Sequence, residues 1–142
     1  MRLILGIAMV LATFSAQSQN VVGKWKSVDD QTGKERSIVE IYQEGEKYFG
    51  KILKVIPLPG DDPDPICTEC KGKKKGKKVN GLVIIEDMEL KDDGGLDSGK
   101  ILDPENGKVY DCKIWVADDG NLKVRGYLLF LYRTQTWLPY EG

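Results

Sequence analysis

The sequence predicts an all-β fold, a single antiparallel up-and-down β-barrel of about eight strands with one long loop. Three observations carry that prediction. Short segments rich in β-branched and aromatic residues recur along the chain, and the turns that join the first three are too short for crossover helices. With 142 residues, 41% of them hydrophobic and 30% charged, the chain suits one domain with a modest core. Gly23-Lys24-Trp25 stands in the first strand and Arg133-Thr-Gln-Thr-Trp137 in the last. That pairing suits a clasp in which a guanidinium lies over an indole and locks the barrel ends together.

Ahead of the barrel, Met1-Arg2 is followed by a run of about ten mainly apolar residues from Leu3 to Ala12. Ala16-Gln-Ser18 then offers small residues at a cleavage site, so residues 1–18 read as a secretory signal and 19–142 as the barrel domain. The apolar run is too short to cross a bilayer, and no cysteine follows it to carry a lipid. An exported product, periplasmic or extracellular and without a transmembrane span, is expected.

The elements follow in order. Residues 21–28 form the first strand, with Trp25 on one face and Lys24 and Lys26 on the other, before the turn Asp29-Asp-Gln-Thr-Gly33. Residues 36–43, with Ile38, Val39, Ile41 and Tyr42, form the second, and Glu44-Gly45 turns the chain into the third at 47–56. A proline- and lysine-rich loop of more than twenty residues then interrupts the meander. The apolar run 81–90 suits a buried strand or a short helical turn plugging one barrel end, and periodicity does not separate the two. Residues 99–103 and 108–117 pair across Asp103-Pro-Glu-Asn-Gly107, where Asp103 and Asn106 brace their own turn. Residues 121–130 and 132–138 complete the series. Alternation places Tyr110, Cys112, Ile114 and Val116 inside, together with Leu122, Val124, Gly126 and Leu128. Asp111, Lys113, Lys123, Arg125 and Tyr127 then face outward.

Composition narrows the chemistry. The chain has no histidine, which removes histidine triads and histidine-based zinc sites. Losing residues 1–18 removes one of 21 basic residues against 22 acidic ones, taking the net charge from −1 to −2 and arguing against a nucleic-acid binder. Cys67-Thr-Glu-Cys70 has redox spacing but lies among prolines and glycines rather than at a helix start. In an oxidising compartment a structural disulfide is the better reading. It either joins Cys67 to Cys70, leaving Cys112 buried and free, or joins one of them to Cys112. A metal would need Cys112 or the Asp61, Asp62, Asp64 group as further ligands, and neither a metal nor a cofactor is expected. The lysine tract Lys71, Lys73, Lys74, Lys75, Lys77 and Lys78 reads either as a solvated loop balanced by Asp61, Asp62, Asp64 and Glu69 or as a contact for anionic lipid or polysaccharide. The carboxylates form no catalytic constellation.

Seven stretches together resemble the DUF2147 family of exported bacterial proteins. They are Gly23-Lys-Trp25, Ser37-Ile-Val-Glu-Ile-Tyr42, Gly50-Lys-Ile52, Cys67-x-x-Cys70, Gly99-Lys-Ile-Leu-Asp-Pro-Glu-Asn-Gly-Lys-Val-Tyr110, Leu122-Lys-Val-Arg-Gly-Tyr127 and Arg133-Thr-Gln-Thr-Trp137. The resemblance spans nearly the whole mature chain and implies a lipocalin-like, calycin-type barrel. On that fold Gly23, Trp25, Arg133 and Trp137 are expected to clasp one end, and a small apolar or amphipathic ligand is expected inside. The alternative is an envelope structural protein that meets an anionic surface or a partner through the 57–80 loop.

Overall fold

Alternation of apolar and polar residues is realised as eight strands that close on themselves. The computed structural model describes residues 20–142 together with Gly6, and the leader expected over 1–18 otherwise lies outside the described residues. The strands are β1 (Gly23–Val28), β2 (Glu35–Glu44), β3 (Lys47–Val55), β4 (Val83–Leu90), β5 (Leu96–Leu102), β6 (Val109–Val116), β7 (Leu122–Leu128) and β8 (Leu131–Pro139). Each pairs antiparallel with the next, and β8 pairs with β1. One 3-10 turn, Gly72–Lys74, lies in the loop between β3 and β4.

Up-and-down order gives the barrel two unlike ends. The upper end carries the β1–β2, β3–β4, β5–β6 and β7–β8 connections, and the lower end carries the other turns and the entry and exit of the chain. Side chains of Val21, Trp25, Ile41, Tyr48, Met88, Leu96, Ile114, Leu122 and Trp137 are buried in one apolar cluster that fills the lower half. The inward positions expected on β6 and β7 are confirmed at Cys112, Ile114, Leu122 and Val124. Leu128 differs: it is 51% exposed, because β7 has by then risen above the packed layers.

The apolar run at 81–90 is a strand, and its ambiguity has a cause. Ile85 and Met88 point into the barrel, while Ile84 is buried on the other face beneath the β3–β4 loop, so both sides of β4 are covered. β4 and β5 each carry an irregularity, with Asp87 at φ 58° and Ser98 at φ 66° lying between the paired residues Glu86↔Lys100 and Glu89↔Asp97. Gly99 makes this possible. A Cβ there would lie 2.4 Å from the Glu86 carbonyl oxygen and 2.8 Å from the Met88 nitrogen. The strand consequently begins at Leu96, three residues before the expected start.

The long loop is a folded-back ribbon. Ile66 bridges Lys78, the Cys67 N–H donates to the Lys77 carbonyl, and the Val79 N–H donates to the Pro65 carbonyl. Cys67 and Cys70 form a disulfide, leaving Cys112 free and buried on the inner face of β6. The Cys67–Cys70 segment sits directly on the β5–β6 turn, where a Cβ on Gly107 would lie 1.9 Å from the Glu69 carbonyl oxygen. That turn is braced as expected: the Glu105 N–H donates to Asp103 Oδ1 and the Lys108 N–H to Asn106 Oδ1.

The proposed clasp is corrected in two respects. Trp25 and Trp137 are buried at the lower end, but Arg133 does not reach Trp25; it lies opposite Gly126, high on β8, whereas Trp25 pairs with Pro139 at the bottom. The Trp25 indole N–H instead donates to the Val21 carbonyl at 2.9 Å. Gly23 serves the backbone rather than close packing, since its φ is 145° and nothing would lie within 4 Å of an added Cβ. Trp25→Ala should lower unfolding free energy by about 3–5 kcal/mol in urea titrations, the range for truncating a buried aromatic.

Candidate ligand-binding mouth

On the inner faces of β7 and β8, and of β6 above Val116, burial falls towards the upper end, whereas Ser27 and Ser37 at the top of β1 and β2 stay buried. On β8 the inward residues are Trp137, Gln135 and Arg133, and they pass from buried through half-buried to exposed. On β7 the same passage runs from Leu122 and Val124 to Gly126 and Leu128, and on β6 from Ile114 and Cys112 to Tyr110. Val55 at the top of β3 and Ile101 on β5 are likewise half-buried while packing on the core. The interior is therefore packed below, and above it the inner faces of β6 to β8 become progressively exposed.

The open half is lined by a particular set of groups. Ile101, Val55 and the aromatic ring of Tyr110 supply apolar wall, and Gly126 adds no side chain where it faces Tyr110; a Cβ there would sit 3.5 Å from the Tyr110 Cβ. Ser27 and Ser37 share a 2.6 Å hydrogen bond across β1 and β2. Polar groups along β8 form a chain of donors and acceptors that climbs towards the mouth. The Trp137 indole N–H donates to Gln135 Oε1 at 2.9 Å, Gln135 Nε2 donates to Asp30 Oδ1 at 3.5 Å, and Arg133 donates to both Asp30 oxygens at 2.5 and 3.0 Å. Asp30 is presented by the β1–β2 turn, where the Thr32 and Gln31 N–H groups donate to the neighbouring Asp29 and lower its pKa. A second ion pair, Arg36 to Glu105 at 2.5 Å, ties β2 to the β5–β6 turn at the same end. The Arg133–Asp30 pair is solvent-exposed and so contributes little to stability; its guanidinium keeps further N–H donors for an anionic group.

The remaining sequence candidates lie elsewhere. Arg125 faces outward, its guanidinium 4.9 Å from the Trp115 ring and 4.4 Å from the Tyr132 ring, with Nε donating to Thr134. In the lysine tract, Lys74 pairs with Glu86 and donates to the Val83 carbonyl, and Lys78 pairs with Asp64. Lys71, Lys73, Lys75 and Lys77 are exposed. A cleft of about 110 Å³ lies outside the barrel between the disulfide segment and β4 to β6, lined by Lys71, Lys74, Glu86, Lys100 and Val109 among others. Lys74 and Lys100 there already have carboxylate partners, Glu86 and Asp111. Among the described residues, no three Cys, Asp or Glu side chains are grouped to hold a metal ion.

Sequence reasoning missed Asp30 and Gln135. The spacing Arg133, Gln135, Trp137 places all three on one face of a strand and was a usable signal for Gln135. Nothing local marked Asp30, which meets Arg133 across 103 residues of chain.

Comparison with known proteins agrees with this architecture. Residues 23–138 match the family model described as "Uncharacterized protein conserved in bacteria (DUF2147)". The chain belongs to the DUF2147 family. The structure of protein HP1028 from Helicobacter pylori, described as belonging to the lipocalin family, superposes on this DUF2147 barrel with a TM-score of 0.73, covering 87% of this chain and 84% of that one. At 16% identity the likeness is one of fold, and it makes the barrel lipocalin-like. The putative ankyrin repeat protein L284 of Acanthamoeba polyphaga mimivirus is 31% identical over 88 residues, covering 58% of this chain. The matched stretch spans only 24% of that viral protein's length.

Cys112, just below the open half of the DUF2147 lumen, is not a reactive thiol. Burial, helped by the charge of Asp97, pushes its pKa from 9.0 to about 12. The unfolded chain therefore loses this proton first as pH rises, so stability is unaffected below pH 9.0 and falls between there and about 12. Comparing wild type with Cys112→Ala by urea unfolding across that range should show the wild type losing up to about 1.4 kcal/mol more per pH unit. At neutral pH the native thiol should resist maleimide until the protein is unfolded.

Proposed function

We propose that this protein is an exported, non-catalytic binding module that holds a small amphipathic molecule in the upper half of its barrel. The observation that carries this reading is the gradient along β8 from buried Trp137 through Gln135 to exposed Arg133, all on one inner face. It leaves the inner face of β8 buried at the bottom and exposed at the top, which suits a chamber that opens upward. In such a chamber the apolar part of a ligand packs against Ile101, Val55 and Tyr110 in the space that Gly126 leaves free. An acidic or strongly polar head then lies at the mouth, within reach of Arg133, whose remaining N–H groups suit a planar oxyanion. Lipocalin-like architecture is compatible with the same reading, because an eight-stranded barrel whose interior is not filled by side chains has the width to hold one small ligand. Binding here needs positioned donors and an apolar wall, and no proton-transfer group.

The test uses the open chamber itself. The protein should take up an anionic amphipathic fluorophore such as anilinonaphthalene sulfonate. Gly126→Leu, which fills the chamber, should weaken uptake by roughly tenfold or more, the effect of losing one side chain's worth of apolar contact. Arg133→Gln should weaken it for the sulfonate but not for an uncharged analogue. Native mass spectrometry of protein purified from its own host should show a co-purifying mass. Uptake that is indifferent to Gly126→Leu, with a clean apo mass, would sink the reading.

A further inference from the structure

The β7–β8 hairpin ends in residues 128–132, Leu-Leu-Phe-Leu-Tyr, at the upper end of the barrel beside the mouth. Leu129 and Phe130 are 88% and 87% exposed, and Leu128, Leu131 and Tyr132 are each more than half exposed. Among the described residues, nothing covers this tip. The turn also sacrifices backbone comfort to keep its apolar side chains: Leu129 has φ 57°, a conformation that tight hairpins normally give to Gly or Asn. A cluster of large apolar residues held in the open marks a contact surface.

What surrounds the tip identifies the partner. From Val124 to Tyr140 the hairpin carries Arg125 and Arg133 and no carboxylate, with Arg133 paired to Asp30 of the β1–β2 turn, in a chain that has more acidic than basic residues. Just below the tip stand Tyr127 and Tyr132, their ring centroids 5.9 Å apart, and Arg125 lies against both Tyr132 and Trp115. The β3–β4 loop leaves the same end and carries exposed Lys71, Lys73, Lys75 and Lys77 together with Asp61, Asp62, Asp64 and Glu69, on the β4–β5 side of the barrel. An apolar point, a belt of Tyr and Trp beneath it and the guanidinium groups of Arg125 and Arg133 beside them match the layers of a lipid surface: hydrocarbon, interface and anionic headgroups. Side chains on a two-residue turn also project to both faces of the ribbon. A rigid protein partner would cover one face, whereas hydrocarbon surrounds both.

We propose that the β7–β8 tip inserts into an anionic lipid surface and docks the barrel with its mouth towards the membrane. The inference does not depend on whether the lumen holds a ligand. Purified protein should co-sediment with mixed phosphatidylcholine–phosphatidylglycerol vesicles and less with phosphatidylcholine alone, and added salt should weaken binding. Phe130→Ser and Leu129→Ser should each reduce partitioning by roughly tenfold, the effect of withholding one large apolar side chain. Leu129→Gly should separate docking from folding, since it relieves the positive φ and should raise the melting temperature while weakening vesicle binding. Gly126→Leu should leave vesicle binding unchanged. Failure to bind either vesicle would overturn the proposal, as would binding that survives the tip substitutions. Lipid-free dimerisation abolished by Phe130→Ser would also overturn it, because a second copy would then be the occupant.

Discussion

Closure of the ladder between β1 and β8 is the constraint on which the rest of this molecule depends. Only Trp25↔Pro139 and Lys26↔Leu138 pair across that seam, helped by the Tyr140 N–H donating to the Lys24 carbonyl. Pro139 has no N–H to give. So thin a seam leans on what packs beneath it, and that is the buried layer of Trp25, Trp137 and Leu122. Closing the sheet removes both exposed edges and divides every strand into an inner and an outer face. All later chemistry follows from that division.

The plug and the mouth are consequences of the same closure. Large side chains crowd the lower half, so inward residues there meet only one another and exclude water. Higher up, glycine at 126 and the polar side chains of Gln135 and Arg133 replace them on β7 and β8, and the inner face there becomes exposed while Ser27 and Ser37 stay buried. Polar groups that would be costly in the plug are satisfied in the mouth by one another, from the Trp137 indole through Gln135 and Asp30 to Arg133. One face of one strand thus joins the fold's most buried indole to its most accessible inward guanidinium.

The disulfide loop works on the outside of the barrel. By folding back over Ile84 and Leu102 it gives β4 and β5 a second buried face, and the Cys67–Cys70 bridge stiffens the segment that rests on Gly107. Two of the six tract lysines are thereby spent on local partners, Lys74 on Glu86 and Lys78 on Asp64. Lys71, Lys73, Lys75 and Lys77 remain exposed on the loop. Exposed apolar surface gathers instead at the β7–β8 tip, where the packing stops.

The sequence by itself determined the all-β class, the strand order and the inward faces of β6 and β7, because a period of two and the turn residues between strands are local properties of the chain. It also placed Trp25 and Trp137 in the closed end. Only the tertiary structure decided the partner of Arg133, since Asp30 meets it through barrel closure and no local spacing encodes that meeting. The same holds for β4, whose run at 81–90 was ambiguous because a distant loop covers its outer face and erases the alternation a strand would show. Cysteine pairing was likewise open in the sequence and settled by geometry: Cys112 lies on the inner wall of the barrel, while Cys67 and Cys70 lie together in the loop outside it. Local periodicity fixes which way a side chain points. What it meets there is set by closure and by the loop, which join residues far apart in the chain.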